Sequence, residues 1–218
     1  AYYNFQENNG VLANDTQTQS NNNGTISGAS WTSGPPLSKM NNSSFVDRTI
    51  NLSTYKDKKL LSSSDITISN STINGPGYIV SDGNITINSN SVISGDIYIV
   101  CSGDLYVSNS QLGTSLSSSV VTYSKGRTDY QNSTVYGLVI SNGNFLELNS
   151  ITHFGAVLNH SPAFTIGNNS SIIGSVVSKY SVDFQGSGSS INRGNLPKFS
   201  GKDIGLDPFV VPGSYLEF

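Results

Sequence analysis

A chain of 218 residues is long enough for one substantial domain, and nothing in its length requires a second. Only 11% of the residues are charged, and 14 Asp and Glu against 11 Lys and Arg leave a net charge of −3. No basic surface is therefore expected to gather phosphates, so no nucleic acid partner is predicted, and no apolar run approaches the ~18 residues of a membrane span.

The first 64 residues are predicted to form a cap and a long covering loop, because they do not follow the repeat found after them. A first coil is indicated only near residues 24–28. The stretch 31–64 carries more scattered apolar residues than a disordered linker needs. We therefore expect it to lie as an extended loop against one face of the molecule and to cover hydrophobic surface there.

Residues 65–195 are predicted to form stacked coils, because a period of about nineteen residues runs through them. Five segments begin with Ser, have an apolar centre and end in Gly. Their glycines lie at spacings of 20, 42, 18 and 19 residues, and they are Gly75, Gly95, Gly137, Gly155 and Gly174. A coil that repeats in this way buries its inward residues only against its neighbours, so the ends of the stack need caps.

Each repeat holds two or three short strands and no helix. Alternating runs such as Ile66-Thr67-Ile68 and Ile85-Thr86-Ile87 place their outer residues inward and their middle residue outward. A hairpin meander would need antiparallel partners about eight to twelve residues apart, whereas here like segments recur about every nineteen. The predicted fold is all-β, a right-handed parallel β-helix.

Two segments depart from the period. Residues 124–131 are polar and have little to bury, so we interpret them as a loop insertion that protrudes from the stack. Residues 196–218 are aperiodic and are predicted to form a C-terminal cap, with the run Pro208-Phe209-Val210-Val211-Pro212 extended over the last coil.

Metal chemistry has little support in the sequence. Cys101 is the single cysteine, and we interpret it as a small buried hydrophobe. His153 and His160 lie seven residues apart with no third ligand nearby, so no metal centre is predicted. Calcium is kept as an alternative cofactor, because corner residues such as Asp82, Asp96 and Asp104 offer the hard oxygen ligands that it selects.

Aromatic side chains are the candidate ligand-binding residues. Tyr78 and Tyr98 lie one period of 20 residues apart, so they are predicted to stack in neighbouring strands about 4.8 Å apart. Rings exposed on a flat sheet suit a polysaccharide, because sugar C–H faces pack on aromatic faces. The alternative is that stacked tyrosines only stabilise the sheet. The full candidate set is Trp31, Tyr55, Tyr78, Tyr98, Tyr106, Tyr123, Tyr130 and Tyr136.

Catalysis is not expected. Enzymes built on β-helices gather several carboxylates and a basic residue on one strand face, whereas no Lys or Arg occurs between Lys59 and Lys125. The outward residues Thr67, Thr86 and Thr165 resemble the flat hydroxyl arrays of ice-binding solenoids. Because other residue types interrupt that array, ice binding is a minor alternative.

The Asn/Ser/Thr-rich repeat, its segments such as Ser171-Ile172-Ile173-Gly174-Ser175-Val176-Val177, and the aromatic-bearing stretch before it resemble the C-terminal region of tapirins. These are cell-surface cellulose adhesins of thermophilic plant-degrading bacteria, associated with type IV pilus loci. The likeness covers residues 65–195 by general pattern and 31–64 by placement. Because other pilus-associated surface β-helices share this pattern, no binding residue is transferred. The resemblance implies attachment to cellulose or a related plant polysaccharide.

Taken together, these features predict a non-catalytic, monomeric adhesin that binds insoluble polysaccharide. The low charge and the abundance of hydroxyl and amide side chains favour an extracellular or cell-surface location. Ala1 stands where an initiator Met is expected, which indicates a processed form or a piece of a longer protein. The alternatives are a polysaccharide lyase or hydrolase on a β-helix, and a structural stalk or pilus-associated component.

Overall fold

The computed structural model describes residues 43–195 continuously, together with short strands at 3–4, 12–15 and 24–25. The chain forms two compact units, residues 1–36 and 37–218. The first unit holds a small antiparallel sheet made of β1 (Tyr3–Asn4), β2 (Leu12–Asp15) and β3 (Gly24–Thr25). Thr25 pairs with Leu12 in that sheet, so the coil indicated near residues 24–28 is wrong.

The second unit is a parallel β-helix of eight coils, which confirms the predicted fold class. Coils 1 and 2 hold β4 (Ser43–Val46), β5 (Thr49–Asn51), β6 (Lys59–Ser62), β7 (Ile66–Ser69), β8 (Thr72–Asn74) and β9 (Gly77–Ser81). Coils 3 and 4 hold β10 (Ile85–Asn88), β11 (Val92–Ser94), β12 (Ile97–Cys101), β13 (Leu105–Ser108), β14 (Gln111–Leu112) and β15 (Val120–Ser124).

Coils 5 to 8 are built from fewer, longer strands. They hold β16 (Thr128–Gln131), β17 (Thr134–Ser141), β18 (Phe145–Asn149), β19 (Thr152–Asn159), β20 (Ala163–Ile166), β21 (Ser171–Ser178), β22 (Val182–Phe184) and β23 (Ser190–Asn192). Two short 3-10 segments, Leu52–Thr54 and Lys56–Lys58, lie between β5 and β6, and the described residues contain no α-helix.

Two parallel sheets run along the stack. The first strand of every coil joins an eight-stranded sheet, β4-β7-β10-β13-β16-β18-β20-β22, and the remaining strands form a twelve-stranded sheet. In coils 1 to 4 the second sheet receives two short strands from each coil, and in β17, β19 and β21 these merge into one strand of eight residues. Gly137 lies at the merge with φ +155, where a Cβ atom would overlap the carbonyl oxygen of Val120. Glycine therefore permits the close approach of neighbouring coils.

The core consists of aliphatic columns between the two sheets. Ile66, Ile85 and Leu105 occupy equivalent positions in successive coils, and each is fully buried. Thr67 and Thr86 alternate with them and point outward. Full burial of such a side chain stabilises the fold by about 1.5–3 kcal/mol, and each column obtains that burial only from adjacent coils. The predicted alternation is confirmed.

Residues 43–62 form the first described coil of the stack, whereas the sequence predicted a covering loop there. Ser43 pairs with Ile66 and Lys59 pairs with Tyr78, both in parallel. The two 3-10 segments lengthen this coil, so the period of about nineteen residues did not reveal it. The predicted loop at 31–42 and the predicted cap at 196–218 lie outside the described residues.

The loop insertion predicted at 124–131 is also wrong. β16 lies within this range and pairs in parallel with β13 and β18. Its inward polar side chains are buried because they hydrogen-bond to side chains of other strands, as Tyr130 Oη does with Thr122 Oγ1 of β15 at 2.7 Å. The extra residues of this part of the stack lie instead at 113–119, between β14 and β15.

Candidate functional site

The twelve-stranded sheet presents a mostly apolar surface outward across coils 4 to 6. We name this surface the apolar face, and its side chains are all half-buried. The strand register aligns Val121 with Leu138 and Ala156 in one column. A second column lies beside it, so the face is continuous over three strands. Its residues are Val121, Tyr123, Tyr136, Leu138, Ile140, Phe154, Ala156 and Leu158.

Tyr136 and Phe154 form an aromatic stack on this face. Their ring centroids are 4.6 Å apart and the ring planes differ by 7°. The two residues are partners in the register of β17 and β19, so the rings stack along the solenoid axis. The ring faces are therefore turned toward each other, and the stack presents ring edges outward.

Tyr78 and Tyr98 stack as predicted. They are partners in the parallel register of β9 and β12, with centroids 5.4 Å apart and planes 22° apart. Lys59 Nζ lies 5.6 Å from the centroid of the Tyr78 ring, within the range of a cation–π contact. Tyr98 is only 8% exposed. This packing supports the alternative that the pair stabilises the sheet.

Of the other aromatic candidates, Tyr123 and Tyr136 lie together on the apolar face, whereas Tyr55 and Tyr106 lie elsewhere. Tyr106 lies on the opposite, eight-stranded sheet, where its Oη donates to Asp104 Oδ2 at 2.9 Å. This hydrogen bond is the main cause of the raised pKa of Tyr106. Tyr55 is partly buried and packs against the core of the first coil. A single site that contains Tyr106 together with the tyrosines of the twelve-stranded sheet is therefore not formed.

Tyr130 was predicted as a ligand-binding residue, and that prediction is wrong. Its side chain is fully buried between the sheets, and burial raises the pKa of its hydroxyl. It has no surface with which to contact a ligand outside the stack. Trp31 lies outside the described residues.

An ionic cluster on the eight-stranded sheet was not predicted from the sequence. Arg127 Nη2 donates to Asp129 Oδ2 at 3.0 Å and to Glu147 Oε2 at 3.1 Å, and its guanidinium lies 4.4 Å from the ring centroid of Phe145. Asp129 and Glu147 are partners in the register of β16 and β18. The signal that would have found the cluster is the 23-residue offset between Leu105 and its partner in β16, which the shorter period concealed.

Corner side chains link successive coils by hydrogen bonds. Asn84 Oδ1 accepts from the backbone N–H of Asp104 at 2.7 Å, and Asp104 Oδ1 accepts from that of Arg127 at 2.7 Å. The described residues contain no group of three or more His, Cys, Asp or Glu side chains able to hold a metal ion. Asp82 and Asp96 are exposed, and calcium binding there stays a prediction.

Two titratable side chains are buried in the core and cannot contact a ligand at the surface. Cys101 is 1% exposed, and desolvation raises the pKa of its thiol to about 12, which confirms its interpretation as a buried hydrophobe. His153 is fully buried with Nε2 3.2 Å from the carbonyl oxygen of Ala156, and desolvation lowers its pKa to about 4. His160 is exposed, so the two histidines do not converge on one site.

Comparison of the chain with protein-family models, characterised proteins and solved structures gave no match. Within the described part of the chain, no helix has the length and apolar character to cross a bilayer. The functional argument therefore rests on the side chains that the two sheets present.

Proposed function

We propose that the chain is a non-catalytic cell-surface adhesin that binds cellulose or a related plant polysaccharide, with the apolar face as the contact surface. One observation carries the proposal. Outward positions in three successive coils hold apolar side chains, all of them large except Ala156, whereas the central outward column of the opposite sheet holds Asp129, Glu147 and Thr165.

The apolar face has the form of an interaction surface. Tyr123, Ile140 and Leu158 follow one another in register, so their side chains form an unbroken column about 10 Å long at the usual spacing of about 4.8 Å between strands. Contiguous apolar patches on soluble proteins mark places where a partner binds. The continuous hydrogen-bonded sheet beneath the column makes this surface flat and rigid, which lowers the entropy cost of contact with a flat solid.

The chemistry of the apolar face matches a neutral polysaccharide. Sugar rings present C–H groups on their faces and hydroxyls at their edges, so Leu138 and Ile140 suit the ring faces. Tyr123 and Tyr136 carry hydroxyls that can donate to and accept from sugar hydroxyls. None of the eight residues of the apolar face is an acid or a base of the Asp, Glu, Lys, Arg or His type, so we expect binding to depend little on ionic strength.

One observation favours the hydrolase alternative. Asp129 and Glu147 are neighbours in register on the eight-stranded sheet, and glycoside hydrolysis uses two carboxyl groups close together. Both carboxylates, however, bind the same guanidinium of Arg127, at 3.0 and 3.1 Å. That geometry is a shared ion pair that joins two coils, and it leaves the adhesin as our proposal.

The test combines depletion and product release. The full chain is incubated with microcrystalline cellulose, and the protein left in solution and the reducing ends released are both measured. Depletion without reducing ends supports the adhesin. Release of reducing ends by the wild type that is lost in Glu147→Gln favours the hydrolase. If the protein is not depleted and no reducing ends are released, the proposal is contradicted and a structural stalk component is favoured.

A further inference from the structure

A polar groove of about 340 Å³ runs across coils 3 to 5. It follows the corner at which each coil passes from the eight-stranded sheet to the twelve-stranded sheet. It is distinct from the apolar face, because it lies at the corner between β10 and β11 and at the equivalent corners of the next two coils. Its lining residues are Asn90, Ser91, Val92, Asn109, Ser110, Gln111, Asn132 and Thr134.

Three asparagines form a column along one wall of the groove. Asn90, Asn109 and Asn132 have φ of +63, +47 and +47, so each occupies the left-handed conformation that Asn tolerates better than most residues. The backbone N–H of Asn90 donates to the carbonyl oxygen of Asn109 at 2.7 Å, and that of Asn109 donates to Gln131 at 3.0 Å. The backbone of each asparagine is therefore held at the spacing of the coils.

The side-chain amides of these asparagines are available to a ligand. All three residues are exposed, and within the described part of the chain their amide groups form no hydrogen bond. Asn70, at the equivalent corner of coil 2, differs because its Nδ2 donates to Asp47 Oδ1 at 2.6 Å. The groove thus begins at coil 3, the first coil in which the corner asparagine has no hydrogen bond from its side-chain amide to another described residue.

The lining residues specify the chemical class of the ligand. An amide offers one acceptor and two donors, which matches hydroxyl groups that each donate and accept. No Lys, Arg, His, Asp or Glu lines the groove, so neither a phosphate nor a metal ion finds a countercharge there. The edges of the strands along the column are already paired with the neighbouring coils, so a peptide has no open backbone edge to extend.

We propose that this groove binds a single chain of a neutral oligosaccharide, with the amides of Asn90, Asn109 and Asn132 bound to successive sugar hydroxyls. The ligand class rests on the proposed function, but the site does not include any residue of the apolar face. The chain would then hold a loose polysaccharide strand at one corner while the apolar face lies on the solid.

The test uses glycine substitutions, because Asn109→Gly removes the amide and retains the left-handed conformation. Asn169→Gly is the matched control, since Asn169 has φ +52 at the equivalent corner of coil 7, outside the groove. Cellohexaose is titrated into each protein, with calorimetry for affinity and the side-chain amide resonances of the asparagines for location. A thermal unfolding scan of both variants checks that they fold.

The proposal predicts shifts of the amide resonances of Asn90, Asn109 and Asn132, and about tenfold weaker binding in Asn109→Gly, the loss of one good hydrogen bond. Binding by Asn169→Gly stays at the wild-type value. Two results would contradict the groove as a binding site: equal affinity of the two variants for cellohexaose, or no cellohexaose binding although the protein still binds to cellulose. Neither result would contradict the proposed adhesin function. Cellohexaose binding in the groove without depletion on cellulose supports the groove and contradicts the proposed function.

Discussion

Thr122 Oγ1 and Tyr130 Oη lie 2.7 Å apart in the interior of the solenoid, where both side chains are fully buried. Thr122 stands between Ile99 and Val139 in its column, so a polar side chain interrupts an otherwise aliphatic column there. The pair is a polar link between β15 and β16 across the core.

Removal of one partner should leave the other buried without a hydrogen bond. We expect Tyr130→Phe to lower the free energy of unfolding by about 1–3 kcal/mol, because the Thr122 hydroxyl loses its partner. The double variant Thr122→Val with Tyr130→Phe should recover part of that loss, since neither polar group then remains. Urea unfolding of the single and double variants measures the coupling.

Tyr123→Phe serves as the control for that cycle. Its Oη lies on the apolar face and accepts from Asn142 Nδ2 at 3.2 Å, so its loss should change stability by less than about 0.5 kcal/mol. If Tyr130→Phe were as harmless as Tyr123→Phe, the buried pair would not contribute to the fold.

The sequence predicted the repeating part of the fold because aliphatic columns leave a regular pattern. Ile85 and Ile87 point inward with Thr86 between them, and the glycine frame marks positions where coils approach closely. The pattern did not predict strands whose inward residues are polar and hydrogen-bond to one another. Thr128 points inward and donates to Ser141 Oγ at 3.0 Å. Because its inward residues are polar, β16 was interpreted from the sequence as a loop, although it is part of the stack.

The candidate site was less accessible to sequence reasoning than the fold. The Tyr78–Tyr98 stack follows from a spacing of one period, and it was predicted. Tyr123 and Tyr136 of the apolar face were also predicted as candidates. Its aliphatic residues were not, because β15 is offset from β12 by the extra residues at 113–119, and aligning Val121 with Tyr98 requires the observed register. The Arg127 cluster was missed for the same reason.

The buried His153 should make the protein sensitive to acid. Its pKa is about 4 in the folded chain against 6.5 for the ordinary side chain, so the unfolded state binds the proton first as the pH falls. Stability is unaffected by this group above pH 6.5, declines as the pH falls toward 4, and is lower by about 2–3 kcal/mol near pH 4.5. Chemical denaturation at pH 7 and pH 4.5 measures the loss.

The substitution His153→Ile should remove this part of the acid sensitivity, because Ile172 occupies the next position of the same column. The exposed His160 gives the control His160→Gln, which should keep the wild-type pH dependence. An equal loss of stability between pH 7 and pH 4.5 in His153→Ile and in the wild type would show that other groups cause it.

The glycine column at the merged strands should tolerate no side chain. A Cβ atom on Gly155, which has φ +143, would overlap the carbonyl oxygen of Gly137. We expect Gly155→Ala to cost more than about 3 kcal/mol, or to prevent folding, because two hydrogen-bonded strands would have to separate. Gly167→Ala is the comparison, since the atoms it would meet belong to the Asn149 side chain, and a cost of about 1 kcal/mol is expected.

Cys101 should be unreactive in the folded protein. Its pKa is raised to about 12, so almost no thiolate is present at pH 8. We expect maleimide labelling only after the addition of denaturant. Cys101→Ser should fold normally, because Ser81 and Ser124 flank it in the same column. Fast labelling of the native protein would contradict the buried placement of the thiol.

The measurement that tests the proposed binding surface most directly is a cellulose binding isotherm for the double variant Ile140→Thr with Leu158→Thr. Both changes place the β-branched residue Thr on the sheet and remove apolar contact area, so we expect binding about 30-fold weaker, equivalent to about 2 kcal/mol. Val46→Thr is the matched control, because Val46 is an exposed apolar residue of the opposite sheet, 49% accessible, and it should bind like the wild type. Unchanged binding by the double variant, with its stability intact, would contradict the assignment of the apolar face as the polysaccharide-binding surface.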